Sequence, residues 1–393
     1  MARLRIYDRR ERALVRLADT LLWPISMARR VPTLRRVFDG AHGAAPRRIL
    51  CLRLERIGDL LMTLPALAEL RTLAPDAEID LIVGSWNRDI AGAIPGITRV
   101  EMADAAWLTR DGKGSATAPL LARAATWRSR QYDLAINFEP DIRSNLTLGA
   151  VRAMRAAGFV SGGGGAVLDV RLDYDATSHT EDNALALVRA ALGASSGTTP
   201  MPVLAIPDQS RAEAERRLAV LPDGRRIGLH VSGGRAIKQW PDSRFRDVAE
   251  HVVRTRDASI VLTGAPGDRA QVEIVRSALP ADRVLDLSEG TNLLTTAAIV
   301  QQLDLFVTGD TGPMHLARAV GTPIVAVFGP SDPRRYGPRG VRDVIVRIDL
   351  PCSPCNRIRL PPARCTGHTP DCLNGVATAQ VLAAIDEALE PRR

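Results

Sequence analysis

Short apolar runs alternate along the chain with longer segments whose apolar residues recur at helical spacing. Runs over residues 48–54, 79–83 and 134–138 predict buried strands, and the segment from about Leu60 to Leu73, which Pro75 follows, predicts a helix. A second alternation predicts strands near 227–231, 259–263, 283–287, 304–308 and 323–328, with helices near 242–255, 267–278, 291–301 and 313–320. Such alternation indicates parallel sheets that helices cover on both faces.

This pattern predicts an α/β protein with two doubly wound halves that face a cleft, where ligands commonly bind at the carboxyl ends of strands. Residues 195–207 are rich in Ser, Thr and Pro and are typical of an interdomain linker, and the glycines of 162–165 predict a mobile loop. We therefore expect a basic arm over 1–46, domains over 47–200 and 201–375, a Cys-rich loop over 351–373 within the second domain, and a C-terminal helix over 376–393.

The net charge of +8 is concentrated at the N-terminus. Residues 1–48 contain twelve arginines against Asp8, Glu11, Asp19 and Asp39, which accounts for the whole excess. Because the rest of the chain carries no net charge, the composition argues against a nucleic-acid-binding protein. The chain is 46% hydrophobic, as soluble globular proteins are, and its longest apolar runs fall far short of the ~20 residues of a membrane span.

The basic arm also carries large apolar residues, namely Leu14, Leu17, Leu21, Leu22 and Trp23. A basic amphipathic segment suits an anionic membrane surface. A solvated helix that covers the edge of a domain is the alternative. A secretion signal is not expected, because no small-residue cleavage site follows a continuous apolar core.

Two common phosphate-binding motifs are missing from the sequence. No Gly-x-Gly-x-x-Gly follows the first predicted strand, and no Gly-Lys-Ser/Thr occurs anywhere. A dinucleotide cofactor and a Walker-type ATPase are therefore not expected.

Asp59 follows Gly58 where the first strand turns into a helix. An aspartate in this place is commonly only a helix N-cap. Gly58, however, lets a substrate approach the backbone closely, and Asp59 would then act as a general base.

A glycine-rich turn follows the strand near 227–231, with the sequence Ser232-Gly233-Gly234 and then Lys238. Backbone N–H groups and the Ser232 hydroxyl would hold a diphosphate, and Lys238 would neutralise it. The chain has fifty arginines and only two lysines, which suggests that a compact point charge is required at Lys238. The alternative is an ordinary turn with Lys238 in solvent.

Asp310-Thr311-Gly312-Pro313 begins the helix near 313–320. Proline at a first helical position marks a helix start, where free N–H groups and the helix dipole favour an anion. Asp310 is either an N-cap or a ligand for donor hydroxyls. His315 either faces the same site or has a structural role only.

Four cysteines cluster near the C-terminus: Cys352, Cys355, Cys365 and Cys372. They leave three interpretations open, which are a structural zinc site, a reduced structural loop and another metal centre. The gaps after Cys355 do not fit a standard zinc spacing. Because the cluster lies far from the other motifs in sequence, we expect a structural role.

The motifs 57–67, 238–241 and 309–315 resemble, in the same order, those of glycosyltransferase family 9, the ADP-heptose:lipopolysaccharide heptosyltransferases. The resemblance covers about residues 47–390 and implies a GT-B fold with an acceptor domain followed by a nucleotide-sugar domain. It implies that Asp59 is the base, and that Ser232, Gly233, Lys238, Asp310, Thr311 and Gly312 bind the donor. The family often has two hydroxyl residues where this chain has Ser-Gly-Gly. Thr291 falls near the family's adenine pocket.

The resemblance implies an inverting, metal-independent transfer of a heptose, or a related sugar, from an ADP-sugar to a lipopolysaccharide-core or similar glycan. No cofactor is expected. Arg56, Gly58 and Arg143 would face a lipid-linked or phosphorylated acceptor. The expected location is cytoplasmic, at the inner face of the cytoplasmic membrane. A GT-B nucleotide-sugar epimerase and a non-catalytic nucleotide-sugar-binding protein remain as alternatives.

Overall fold

Two compact units, residues 1–202 and 203–393, make up the chain. A computed structural model describes residues 4, 6, 8–24, 45–109, 114–195, 203–359 and 361–390. In this part of the chain each unit contains one six-stranded parallel sheet with helices between its strands. The predicted α/β class is confirmed. Most of the predicted linker, residues 196–202, lies outside the described residues.

The first unit has the strand order β3-β2-β1-β4-β5-β6. Its central strand β1 is buried after its first residue, as a parallel strand covered on both faces should be. Because the pairings are parallel, the carboxyl ends of these strands lie along one edge of the sheet. The strands are β1 (Arg48–Arg53), β2 (Glu78–Val83), β3 (Arg99–Met102), β4 (Leu134–Asn137), β5 (Arg155–Phe159) and β6 (Val170–Leu172).

The predicted helix over Leu60–Leu73 is in fact two helices, with Met62 and Thr63 between them. Pro65 explains the break, because it has no N–H and its ring clashes with a preceding helical turn. The α-helices of the unit are α1 (Arg9–Leu21), α2 (Ile57–Leu61), α3 (Leu64–Leu73), α4 (Arg88–Gly92), α5 (Thr117–Thr126), α6 (Ile142–Val151) and α7 (Thr180–Leu192).

The glycine loop over 162–165 is packed rather than mobile, so that prediction was wrong. Gly162, Gly163 and Gly164 are buried. A Cβ on Gly162 would overlap the backbone of Pro140, and Gly163 and Gly164 adopt positive φ angles. Gly162 is a glycine because neighbouring backbone occupies the Cβ space, and Gly163 and Gly164 because of their positive φ angles and the side chains packed against them.

The second unit repeats the same order, since its sheet runs β9-β8-β7-β10-β11-β12. Its strands are β7 (Arg226–His230), β8 (Ser259–Thr263), β9 (Val284–Asp286), β10 (Leu305–Gly309), β11 (Ile324–Val327) and β12 (Val344–Val346). Its α-helices are α8 (Asp208–Leu218), α9 (Asp242–Arg256), α10 (Arg269–Arg276), α11 (Leu293–Gln301), α12 (Gly312–Val320), α13 (Pro333–Tyr336), α14 (Asp371–Asn374) and α15 (Thr378–Leu389).

Trp240 and Phe245 pack edge to face, 4.9 Å apart, in the core of the second unit, and the Trp240 indole donates to the Val376 carbonyl. Residues of α15 join the same core. No helix in the described part of the chain has both the length and the apolar character that crossing a bilayer requires.

Candidate active site

Asp59 is the third residue of α2, directly after the carboxyl end of β1. Its Oδ2 accepts the backbone N–H of Arg56 at 3.2 Å, so Arg56 and not Asp59 is the N-cap residue. The Asp59 side chain is 32% exposed. One oxygen therefore helps to hold the helix start, and the carboxylate is still accessible from solvent.

Arg53 lies beneath Asp59 and is almost fully buried. It donates from Nη1 to the Phe138 carbonyl at 2.6 Å and from Nε to the Asp59 carbonyl at 3.2 Å, and Nη2 lies 3.8 Å from Asp59 Oδ1. Burial alone would lower the pKa of Arg53, but the charges of Glu55, Asp59 and Glu139 outweigh it and raise the pKa. A fixed cation therefore supports both the backbone and the carboxylate of Asp59.

Glu139 completes this network from the end of β4. It accepts the backbone N–H of Leu54, the N–H of Glu55 at 3.0 Å and the hydroxyl of Ser144. Burial raises the pKa of Glu139 to about 7, although Ser144 and Arg53 oppose the shift. Sequence reasoning missed Arg53 and Glu139. A charged residue inside the apolar run 49–54 was the available signal.

The two predicted acceptor-side arginines contact the same short segment. Arg56 donates to the Leu108 carbonyl at 3.2 Å, and the Arg143 guanidinium lies 4.7 Å from the centre of the Trp107 ring. Arg143 also makes two hydrogen bonds to Asp141, at 3.0 and 2.6 Å. These contacts bring Arg56 and Arg143 to one face of the unit. Gly58 is partly exposed beside Asp59.

Ser232 is buried at the end of β7, where its Oγ lies 3.2 Å from Nε2 of His230. Nδ1 of His230 lies 3.1 Å from the Thr263 carbonyl, which can only accept. Burial lowers the pKa of His230 to about 4, so the ring is neutral at pH 7 with its proton on Nδ1. With this tautomer Nε2 accepts the Ser232 hydrogen, so backbone N–H groups and the Lys238 ammonium are the remaining donors of this loop.

Lys238 and Asp310 form a salt bridge, with Nζ 2.7 Å from Oδ2. Burial alone would raise the pKa of Asp310, but Lys238, the Ser331 hydroxyl and the charge of His315 together lower it. The alternative that placed Lys238 in solvent is therefore wrong. The residues 232–238 pack against the end of β10, where a Cβ on Gly309 would lie 3.3 Å from the Lys238 carbonyl oxygen.

Helix α12 begins at Gly312 with Thr311 as its N-cap, and the Thr311 side chain makes no capping hydrogen bond. The Thr311 hydroxyl lies 3.0 Å from that of Thr308 instead. Since Pro313 has no N–H, the donors of the first turn are those of Gly312 and Met314. His315 is buried on the same turn, close enough for its charge to act on Asp310.

The remaining predicted donor residues lie along the same sheet edge. Gly234 is exposed, and Gly233 accepts a hydrogen bond from the Gln239 amide at 3.0 Å. Thr291 lies in the loop that follows β9. The strand β9 is two strands from β7, a separation of roughly 10 Å at normal strand spacing. Thr291 lines a surface cavity of about 270 Å³ together with residues of α8 and the start of α11.

The four clustered cysteines lie close to one another in the structure. All five are free thiols, and the described residues contain no group of three or more His, Cys, Asp or Glu side chains placed to hold a metal ion. Burial, and then the three neighbouring thiols, raise the pKa of Cys372 to about 11. The zinc site, the reduced structural loop and the other metal centre all stay predictions for this loop.

The Cys-rich loop contacts the segment 329–332 of the second unit. The Ser353 hydroxyl donates to the Gly329 carbonyl at 2.7 Å, and Asn356 accepts from the Asp332 N–H at 2.9 Å. The segment 329–332 includes Ser331, which hydrogen-bonds Asp310. The loop thus supports the segment that holds the Lys238–Asp310 pair.

Comparison with known proteins identifies the family of this chain. The family profile described as Glycosyltransferase family 9 (heptosyltransferase) matches residues 121–361. The lipopolysaccharide core heptosyltransferase OpsX of Haemophilus influenzae is 23% identical over 312 residues, which is 77% of this chain and 85% of that protein.

Two solved structures show the fold. The E. coli ADP-heptose LPS heptosyltransferase II has a TM-score of 0.71 at 19% identity, over 87% of this chain and 98% of the other. E. coli heptosyltransferase WaaC with ADP-2-deoxy-2-fluoro heptose has a TM-score of 0.64 at 20% identity, over 86% and 99%. The fold is therefore GT-B, as predicted, and the chain belongs to glycosyltransferase family 9, the heptosyltransferase family.

Proposed function

We propose that this chain is an inverting, metal-independent transferase that moves a heptose, or a related sugar, from an ADP-sugar to a glycan acceptor. The acceptor class is a lipopolysaccharide core or a similar lipid-linked or phosphorylated glycan. The names of the relatives support this choice, since OpsX is a lipopolysaccharide core heptosyltransferase and WaaC was solved with an ADP-heptose analogue. The proposed location is the cytoplasmic face of the membrane.

The observation that carries the proposal is an accessible carboxylate on a rigid support. Asp59 is held by the Arg56 N–H and lies over buried Arg53, yet its side chain is a third exposed. In the proposed reaction Asp59 takes the proton of an acceptor hydroxyl while that oxygen bonds to the anomeric carbon. The bond from this carbon to the diphosphate oxygen breaks, and the diphosphate leaves with the electron pair. A single displacement of this kind inverts the anomeric configuration.

The second unit supplies groups that suit the departing diphosphate. The ammonium of Lys238 has three N–H donors, so it can keep its contact with Asp310 and also hold a phosphate oxygen. The N–H groups of Gly312 and Met314 add the positive end of the α12 dipole. Asp310 thus orients Lys238 before the donor arrives, and preorganised charge of this kind usually lowers a reaction barrier more than any other single effect.

Incubation of the purified chain with ADP-heptose and a heptose-accepting core glycan tests the function. We expect ADP release together with a glycan that gains one sugar, and the same rate in the presence of a chelator. A sugar isomer formed from donor alone would indicate an epimerase. Tight donor binding without ADP release from any acceptor would indicate a binding protein. Thermal shifts with ADP, UDP and GDP check the nucleotide independently, and the largest shift is expected with ADP.

A further inference from the structure

The N-terminal helix α1 is fixed to the first unit by one face. Val15 is buried against Gly163, where a Cβ would overlap the Val15 side chain. Asp19 Oδ1 accepts the backbone N–H of Gly164 at 2.7 Å, and Glu11 lies 3.5 Å from Nη2 of Arg143. The packed glycine loop over 162–165 therefore forms the surface against which α1 packs.

The opposite face of α1 presents a stripe of leucines. At about 100° per residue, Leu14, Leu17 and Leu21 fall within roughly 60° of one another and point more than roughly 90° away from Val15 and Asp19. Their exposed fractions are 67%, 59% and 72%, and Trp23, just beyond the helix, is 57% exposed. The stripe is thus an apolar surface that the first unit does not cover.

The acids and the exposed arginines of α1 differ in their surroundings. Each acid of the segment has a local role: Asp8 caps the helix by accepting the Glu11 N–H at 2.8 Å, and Glu11 and Asp19 face the unit. The arginines at 9, 10 and 16 are exposed. On the helical wheel Arg10 lies among the leucines, where a long side chain can hold its charge above an apolar layer, whereas Arg9 and Arg16 point roughly 80–160° away from the leucines.

We propose that α1 docks this protein on an anionic lipid surface through Leu14, Leu17, Leu21 and Trp23. A helix with cations beside a continuous apolar stripe has the charge and shape that an anionic bilayer surface attracts.

The position of α1 also bears on where the acceptor binds, an inference that rests on the proposed function. Glu11 contacts Arg143, whose guanidinium lies over Trp107, and Arg56 binds the next residue, Leu108. The lipid-facing helix is therefore seated beside the predicted acceptor-side arginines. A lipid-linked acceptor would be taken up at the surface where the helix docks.

Vesicle flotation with the full chain tests the docking. Vesicles of phosphatidylcholine alone are compared with vesicles that also contain phosphatidylglycerol, at low and high salt. We expect binding to the anionic vesicles only, weakened by salt. The triple variant Leu14→Gln, Leu17→Gln, Leu21→Gln should lose at least roughly tenfold in vesicle affinity. The matched control is Val220→Gln with Val341→Gln, which are similarly exposed in the second unit and should bind as the wild type does.

Two further measurements separate the outcomes. Activity toward a water-soluble acceptor should be equal in wild type and triple variant, so a loss of vesicle binding is distinguished from a failure of the transferase itself. Light scattering reports the oligomeric state. The proposal is overturned if the wild type ignores anionic vesicles, or if the triple variant binds them equally well. It is also overturned if the variant only converts a dimer into a monomer, because the stripe would then be an interface between copies.

Discussion

The two units have the same strand order but carry opposite chemistry at the ends of equivalent strands. Glu139 follows β4 and Asp310 follows β10, which occupy the same position in the two sheets, and both carboxylates are buried. Burial raises the pKa of Glu139 to about 7, whereas the pKa of Asp310 is lowered. The difference lies in the cation. Arg53 is shared among several acids, while Lys238 is bound to Asp310 at 2.7 Å.

The strands next to β4 and β10, which are β1 and β7, also end in different chemistry. In the first unit β1 leads to Asp59, an accessible acid, and in the second β7 leads to a glycine-rich turn that can offer N–H groups. One sheet edge is therefore suited to accepting a proton and the other to holding an anion. A shared fold fixes where the site lies, and the buried partners decide which charge it favours.

Breaking the Lys238–Asp310 pair should have the largest effect on stability. Lys238→Met leaves the Asp310 carboxylate buried without its cation, and we expect a loss of about 3 kcal/mol in the free energy of unfolding of the second unit. Donor affinity should fall as well. Denaturant titration and calorimetry with ADP measure the two effects.

The matched control is the double variant Lys238→Met, Asp310→Asn, which removes the unpaired charge and should recover part of the stability but not the donor affinity. Equal stability in the single variant and the wild type would show that the pair is not coupled.

Glu139→Gln should remove a pH dependence from the free energy of unfolding of the first unit. Because the folded pKa of about 7 lies above the ordinary value of 4.5, the stability that protonated Glu139 provides is complete below pH 4.5 and is lost as pH rises through 7. The loss amounts to about 3 kcal/mol. Glutamine keeps an oxygen for the N–H groups of Leu54 and Glu55 and does not titrate.

Unfolding at pH 5 and at pH 8 checks this expectation. The variant should gain stability relative to the wild type as pH rises, while Glu390→Gln, at an exposed position, should follow the wild type. A constant difference between Glu139→Gln and wild type across this range would contradict the assignment.

Ser232→Ala should have the smallest effect on donor binding. Since the Ser232 hydrogen is directed at His230, the hydroxyl adds little to an anion that backbone N–H groups hold. We expect donor affinity to fall by less than roughly fivefold, in line with one hydrogen bond. Calorimetry measures the donor affinity of Ser232→Ala and of Lys238→Met under the same conditions. An equally large loss of affinity in both variants would show that the hydroxyl contacts the donor.

Local signals were sufficient for much of the fold and for the residues at strand ends. Apolar runs located β1, β7, β8 and β10, and a polar residue beside glycine at each strand end marked Asp59 and Ser232. The strands β3, β5, β6 and β12 were not predicted, and of these β6 and β12 have only three residues each.

The buried partners of the site could not be read from local pattern. Arg53 is placed by the Phe138 carbonyl, 85 residues away, and His230 by Thr263 on the neighbouring strand. The glycine loop was misjudged for the same reason, since Gly163 is packed against Val15, which lies far before it in sequence. Pairings of this kind depend on the sheet order and exist only after folding.

The rate of single-turnover sugar transfer by Asp59→Asn, with ADP-heptose bound and acceptor in excess, tests the central claim most directly. Asparagine can still accept the Arg56 N–H, so the helix start should survive, and Asp76→Asn on the surface of the same unit is the control. We predict a fall of about 10²–10⁴ in rate with unchanged donor affinity. A rate within a few-fold of wild type would contradict the assignment of Asp59 as the base.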